Sequence, residues 1–427
     1  MIQTLRNAWK IPDLRKKILF TIFALLIYRF GSNIPVPFIN ATVLQELFTQ
    51  TFQSTIFGLM NNLAGGAMSK ATIFALSIQP YINASIIMNL LTVGIPALER
   101  MQKEGGEEGR KKIAAITRYV TVVLGLLIGY GYYTFLRTST LGDVVVLEDT
   151  SFFTAVVIIL TFTAGSAFIM WLGEQITEFG IGNGISMILF ASIISRGPAM
   201  VTTGWGLIQS GAWYWVLLAV VVMLAIVAFV VYITQAERRI PIQYAKRLVG
   251  RKMYGGQSTY LPLKVNMSGV MPIIFASSIA SLPSTIATFA RVPQGQGVNS
   301  WFGPQSFLYP VVFFLLIIAF SYFYSTIQFN PIEVANNLKN NGGSIPGFRS
   351  GKPTADFIRK VLNKVTLFGA IFLGVIALLP LLMAHLPNMS AFAMGGTSVL
   401  IVVGVALETV KAIEAQMVMR HHKGFLE

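Results

Sequence analysis

Long apolar runs separated by short polar segments dominate the chain. A helix needs about 20 mostly apolar residues to cross a hydrocarbon core. Five runs meet that length plainly: Ile113–Leu136, Phe152–Leu172, Trp213–Ile233, Phe307–Phe329 and Val365–Leu386. Four more are interrupted. Ile18–Ile34 carries Arg29, and Ala71–Leu98 carries Gln79, Pro80, Asn83 and Asn89. Val270–Ala290 carries Pro272, Pro283 and several serines, and Ser398–Ile413 carries Glu408 and Lys411. Gly184–Val201 is short and holds Arg196 and Pro198. The pattern predicts an all-α membrane protein with ten transmembrane helices.

Charge tests that count. With the N-terminus inside and the spans alternating, 26 of the 32 Lys and Arg residues fall in inner segments and four (Lys70, Arg137, Arg196, Arg291) in outer ones. Such asymmetry is the orientation signal of membrane proteins, and it places both termini in the cytoplasm. The basic stretch before Ile18 resembles the start of a signal peptide. No small-residue cleavage site follows it, so the first span reads as a permanent anchor.

Composition narrows the chemistry. Of 427 residues, 54% are hydrophobic and 11% charged, with a net charge of +15. A soluble domain carries about a quarter charged residues, so a soluble multidomain enzyme is excluded. There is no cysteine, which removes disulfides and thiolate chemistry. Three histidines, His385, His421 and His422, argue against a His-rich metal centre. No cofactor is indicated. Gly180–Ser186 (GIGNGIS) has glycines but no P-loop lysine, and reads as a tight turn into the fifth span.

The spans fall into two kinds. Phe152–Leu172, Trp213–Ile233 and Phe307–Phe329 are nearly uniform and can face lipid. The second, fifth, seventh and tenth are short or broken by Pro, Gly, Asn and Ser, which are tolerated at membrane depth where they face other helices or a water-filled cavity. In the second span Ile78, Ile82 and Ile86 recur every four residues, on one helix face. A row of isoleucines facing a cavity would form a hydrophobic constriction able to gate a pore. Ordinary packing accounts for the same spacing, and spacing alone favours packing. Thr55–Ser69 (TIFGLMNNLAGGAMS) is apolar but too short to span, which suggests either a re-entrant, cavity-filling helix or an outer surface loop. A division near residue 205 leaves five spans on each side, 1–205 and 206–427. An odd number per half fits an inverted repeat.

Two inner loops, Gln235–Ser268 and Asn330–Asn363, are long and basic. The first holds Arg238, Arg239, Lys246, Arg247, Arg251, Lys252 and Lys264. Its Arg239–Tyr244 stretch alternates like a strand and Gly255-Gly256 marks a turn, so a hairpin is expected. The second carries Arg349 on a Gly/Pro-rich tip. Orientation and attraction to anionic lipid account for the sign of the charge, but not for the turn-rich sequence. An acidic protein or a structured RNA is a fitting partner. Arg29, Arg118, Glu174 and Glu408 are few ionisable groups for an ion-coupled carrier, and Glu408, Lys411 and Glu414 read as an ion-paired helix end.

At this point whole segments resemble a known family. Ile73–Glu99 (IFALSIQPYINASIIMNLLTVGIPALE) and Glu107–Tyr119 (EEGRKKIAAITRY) are similar to the signature regions of the bacterial SecY family. So are Met170–Ser186, Tyr244–Ser278, Phe329–Thr354 and Gly395–Val403, in order along essentially the whole chain. The composition resembles that of Gram-positive, Bacillus-like members.

The resemblance implies a clamshell of two pseudo-symmetric, inverted five-helix halves around a protein-conducting pore in the bacterial plasma membrane. It implies a pore ring of Ile78, Ile82, Ile86, Ile185, Leu189, Ile274 and Ile401. It implies a plug formed by Thr55, Ile56, Phe57, Gly58, Leu59, Met60, Asn61, Asn62, Leu63, Ala64, Gly65, Gly66, Ala67, Met68 and Ser69. A lateral gate, with Asn83, Asn89, Ser277 and Ser278 near it, would bind signal sequences and release apolar segments sideways. Arg238, Arg239, Tyr244, Lys246, Arg247 and Arg349 would dock the SecA ATPase motor and the ribosome. SecE and SecG would be small membrane partners. The alternative from the residues alone is an inverted-repeat secondary transporter; an enzyme lacks any nucleophile–base pair.

Overall fold

The computed structural model describes residues 2–49, 56–141, 144–147, 149–244, 247–249, 252–254, 258–267, 269–289, 301, 306, 308–383 and 390–423. The chain opens with α1 (Ile2–Lys10), α2 (Pro12–Gly31), α3 (Ala41–Leu47) and α4 (Ile56–Leu63). Then come α5 (Gln79–Gly94), α6 (Pro96–Lys103), α7 (Gly106–Thr138), α8 (Phe152–Phe179), α9 (Gly184–Ile194), α10 (Gly197–Gln209) and α11 (Trp213–Gln235). The remainder holds α12 (Met271–Phe289), α13 (Leu308–Gln328), α14 (Pro331–Asn340), α15 (Lys352–Met383) and α16 (Ser390–Lys423). A two-residue pair, β1 (Thr140–Leu141) and β2 (Val144–Val145), lies between α7 and α8.

Among the described residues six stretches are long and apolar enough to cross a membrane: α7, α8, α9 with α10, α11, α13 with α14, and most of α15. The α5–α6 pair is a seventh if taken as one broken span. The other three expected spans are helical, in α2, α12 and α16, but fall short of that apolar length and composition. Exposed Leu127, Phe153, Leu224 and Leu315 line the outward faces of α7, α8, α11 and α13. Such faces suit lipid, because water would leave them as a large bare apolar surface.

The second expected span departs from a single helix. Residues 71–78 are turns apart from Thr72, which forms an antiparallel bridge with Pro35, and the helix begins only at Gln79. Ala71 and Ser77 adopt left-handed φ values of 44° and 50°, which no helix accommodates. Pro80 sits in the first turn of α5, where its missing N–H costs nothing. At the far end α5 and α6 are bent by 104° at Ile95. Pro96 explains the break: it forces the preceding residue into extended backbone, here φ −109° and ψ 111°.

The main core draws on both ends of the sequence, from Tyr28 of α2 to Val405 of α16. Phe74, in the turn before α5, stacks between Tyr28 (centroids 5.8 Å, planes 4° apart) and Phe168 (5.9 Å, 10°). Glycines make the room. A Cβ at Gly31 would enter the Phe74 ring, and one at Gly165 would fall on the Ile73 carbonyl oxygen. The Tyr28 hydroxyl shares a 2.6 Å hydrogen bond with Ser192 Oγ, tying α2 to α9.

The two long basic loops fold into one unit. β3 (Glu237–Tyr244) pairs antiparallel with β6 (Ser258–Lys264), and the short β7 (Gly343–Ser344) from the second loop adds to the end of β3. Between them β4 (Arg247–Val249) and β5 (Lys252–Tyr254) form a nested hairpin. The alternation seen in the sequence buries Ile240 and Ile242 and exposes Arg239 and Pro241. With Leu263, Leu338, Ile345 and Ile358 these isoleucines make a second, separate core.

Leu263 is fully buried there. Leu263→Ala should therefore cost about 2–5 kcal/mol locally. Hydrogen exchange across β3 and β6 is expected to accelerate while the α8 amides stay protected; unchanged protection of the strands would contradict this second core.

Candidate functional site

Four helices deliver the aliphatic residues singled out in the sequence. Ile82 and Ile86 come from α5, with Ile78 as its N-cap, its carbonyl accepting from Ile82 N at 3.0 Å. Leu189 comes from α9, Ile274 from α12 and Ile401 from α16. All six are at most 5% exposed and share one apolar cluster. Ile185 is half-buried at its edge, with Cγ1 only 3.1 Å from where a Cβ on Gly173 of α8 would lie. The start of α9 is set by side chains: Asn183 Oδ1 accepts from Ile185 N (3.0 Å) and Ser186 N (3.2 Å). GIGNGIS is thus a capped turn, with Gly182 left-handed at φ 71°.

The short apolar segment is α4 and the turn after it. Gly66 N donates to Asn61 O (2.8 Å) and Gly65 N to Asn62 O (3.1 Å), with Gly65 at φ 66°. That is a Schellman ending, which needs a left-handed residue and so favours glycine. Gly65 also lies so close to α9 that a Cβ would meet Ser192 O at 2.7 Å. Asn61 Oδ1 accepts from Ser69 N at 2.9 Å, both residues being buried, and Ser69 Oγ donates to Gly66 O. Tyr132 of α7 donates to Met68 O at 2.7 Å. Gly58, Ala64 and Ala67 are buried, and Asn62 is half-buried. α4 packs against α9, α12 and α16, three of the helices that carry the aliphatic cluster. Met60, Leu63, Met68 and Leu189 line one small cavity of about 30 Å³ between them.

Two side-chain hydrogen bonds cross from α5 to later helices. Gln79 Nε2 donates to Ser278 Oγ of α12 (3.3 Å), and Asn89 Nδ2 to the Tyr324 hydroxyl of α13 (3.4 Å). Of the four polar residues expected here, Asn89 and Ser278 take part. Ser277 bonds its own helix at Ile274 O, and Asn83 is half-buried on α5. Sequence reading missed Tyr324 and gave Gln79 no partner. The polar interruption of an apolar run was the only signal for Gln79, and Tyr324 carried none.

Arg238, Arg239 and Arg349 are exposed on the small sheet unit, and Tyr244 is packed against its core. Arg239 pairs with Glu237 at 2.7 Å. The Arg349 tip is held by Thr354 Oγ1 donating to Arg349 O (2.7 Å) and by Phe348 against Phe357 (4.2 Å). Thr55, Lys246 and the side chains of Ile56, Phe57, Leu59 and Arg247 lie outside the described residues. Arg118 and Glu174, isolated in the sequence, pair at 2.9 Å between α7 and α8. Among the described residues no group of three or more acidic, His or Cys side chains could hold a metal ion.

This architecture defines a multi-pass, all-α membrane channel. A family model described as SecY matches residues 72–410. The protein translocase subunit SecY of Streptomyces scabiei is 45% identical over 440 residues, covering 100% of both chains. Among solved structures, one described as a protein-conducting channel aligns with TM-score 0.68 at 17% identity, over 95% of this chain and 93% of that one. A second is described as showing that the SecY plug domain stabilises the closed state and maintains a membrane seal; it gives 0.67 and 17%, over 95% and 92%. Canine Sec61 in a ribosome–channel complex of the endoplasmic reticulum gives 0.63 at 16%, over 95% and 93%. The chain belongs to the SecY family of protein translocase subunits, which are channels and not enzymes.

Asn61→Ala would strand the buried Ser69 N–H, at about 1–3 kcal/mol. A cysteine at Met68 should then become more reactive to a soluble thiol reagent added from the outer side. Equal reactivity would show that this bond does not hold the turn.

Proposed function

We propose that the aliphatic cluster is the constriction of a protein-conducting pore, sealed when idle by α4 and the turn that follows it. One observation carries this reading: six buried aliphatic residues and a seventh at their edge, from four helices distant in sequence, converge beside a short helix tied into the protein by buried hydrogen bonds. In this reading ten helices cross the plasma membrane as two inverted halves, 1–205 and 206–427, with both termini in the cytoplasm.

The physics suits the task. The pore must pass an unfolded chain of any sequence without leaking ions. Aliphatic side chains close around any passing residue because they make no specific hydrogen bonds, and an empty apolar waist expels water. α5 facing α12 and α13 is the lateral gate, latched by Gln79–Ser278 and Asn89–Tyr324. An opened gate lets a segment choose lipid by its transfer free energy, about −0.3 to −0.6 kcal/mol per Leu, Ile, Phe or Val and +2.5 to +3.5 per central charge. The exposed arginines of the sheet unit, Arg238, Arg239 and Arg349, are the docking surface for the SecA motor and the ribosome. Lys246 and Arg247 belong to it by sequence. SecE and SecG complete the membrane assembly, with anionic lipid around the basic inner face. The channel supplies no energy of its own, so a motor, the ribosome or an ion gradient must drive the chain. The transporter alternative is not favoured: Arg118 and Glu174, two of the few ionisable groups near membrane depth, are paired with each other.

Three measurements test this. Replacing Ile82, Ile86 and Ile274 with Gly or Ser should raise the ion conductance of the resting channel in planar bilayers, and unchanged conductance would sink the constriction. An arrested preprotein should crosslink to cysteines placed at Ile82 and Ile274; capture only at lipid-facing positions would refute the pore. Arg349→Glu should impair SecA-driven export far more than it impairs insertion of the channel itself, and normal export would remove Arg349 from the docking surface.

A further inference from the structure

Gly404, Glu408 and Lys411 lie on one face of α16, spaced i, i+4 and i+7. The sequence reads Glu408, Lys411 and Glu414 as an ion-paired helix end. In the structure Glu408 and Lys411 also reach the ends of two other helices. Val270 is the N-cap of α12: its carbonyl accepts from Ile273 N (3.1 Å) and Ile274 N (3.3 Å). Its side chain fills the notch at Gly404, where a Cβ would overlap Val270 Cγ2. Gly269, left-handed at φ 63°, lies against Glu408 so closely that a Cβ would overlap Oε1. Seven residues along from the notch, Lys411 Nζ donates to Thr234 O (3.3 Å) in the last turn of α11.

The pairing follows the helix dipoles. An acid stands at the N-terminus of α12 and a base at the C-terminus of α11, the arrangement that unsatisfied amide and carbonyl ends favour. Lys264 is the last residue of β6. Next to it Val265 N donates to Ala236 O (2.9 Å), closing the stem from which the sheet unit leaves the membrane helices. The inner ends of α11, α12 and α16 and the base of the docking unit therefore meet at one place.

We propose that Glu408, assisted by Lys411, is a positioning residue for the lateral gate: it seats the inner end of α12 on α16, so that the gate opens by α12 pivoting on this seat. Without the seat α12 drifts, and the Gln79–Ser278 latch on the same helix opens more often in the resting channel. The proposal rests on the gate reading above.

The chain has no cysteine, so engineered pairs report cleanly. In the full-length channel in membranes, Gln79→Cys with Ser278→Cys reports the closed gate by disulfide yield. Ser325→Cys with Thr366→Cys, whose hydroxyls are 3.0 Å apart, reports intact folding at the contact of α13 with α15, which is not part of the α5–α12 latch. Adding Glu408→Gln should slow gate crosslinking roughly two- to fivefold, the range expected for one helix-end charge. Lys411→Gln should do so less, and Glu408→Asp should restore most of the rate. The control pair should crosslink equally in every background. Equal gate crosslinking with and without the Glu408→Gln change would overturn the seat while leaving the gate reading intact. An equal loss at both pairs would also overturn it, because the charge would then act on folding as a whole. Failure of the gate pair to form with Glu408 present would overturn the gate reading, and this proposal with it.

Discussion

Backbone groups inside a bilayer have no water to bond to, and that constraint governs every place where this chain interrupts a helix. The interruptions at residues 180–183 and after α4 carry their own substitute partners. At residues 180–183, Ile181 N donates to Thr21 Oγ1 (3.2 Å), Gly184 N to Thr177 Oγ1 (2.9 Å), and Asn183 caps the next helix. After α4, glycine turns and Asn61 take the loose amides. Breaks built this way can be buried, and buried breaks are what let short helices end at a common apolar cluster rather than run past one another.

The protein is stabilised differently on its two levels. Within the membrane helices, packing relies on small residues at close approaches, such as Gly165 under Ile73, and on hydroxyls that bond their own or neighbouring helices, as Ser192 does to Ile188 O and Tyr28. The sheet unit of the two basic loops has a conventional hydrophobic core of Ile240, Ile242, Leu263 and Leu338. Its strands come from two loops separated by a pair of membrane helices, so neither loop is a finished structure alone. Only the assembled unit holds Arg238, Arg239 and Arg349 on one frame.

Much of this was legible in the residues, because apolar length and charge asymmetry are local signals. Where described, the segments expected to span are largely helical, with the late start of α5 the main exception; the Ile78–Ile82–Ile86 row is buried in one cluster, and the strand alternation at Arg239–Tyr244 forms the expected hairpin. What stayed hidden was non-local or backbone-specific. Gln79–Ser278 and Asn89–Tyr324 join residues 199 and 235 positions apart, and no periodicity announces them. The late start of α5 follows from left-handed backbone at Ala71 and Ser77, residue types that ordinarily give no such warning. Glu408 and Lys411 were visible as charges, but their destinations depend on where α11 and α12 end.

Phe74 has one further consequence. Clamped between the Tyr28 and Phe168 rings, it is a fixed post, and the eleven residues from Leu63 to Phe74 are a leash tied to it. At about 3.3–3.6 Å per extended residue, that leash is at most about 40 Å long. On the reading proposed above, once the Tyr132–Met68 bond and the Pro35–Thr72 bridge let go, that length lets α4 swing clear of the channel axis without dragging α5 and fall back into the same berth once the traffic has passed.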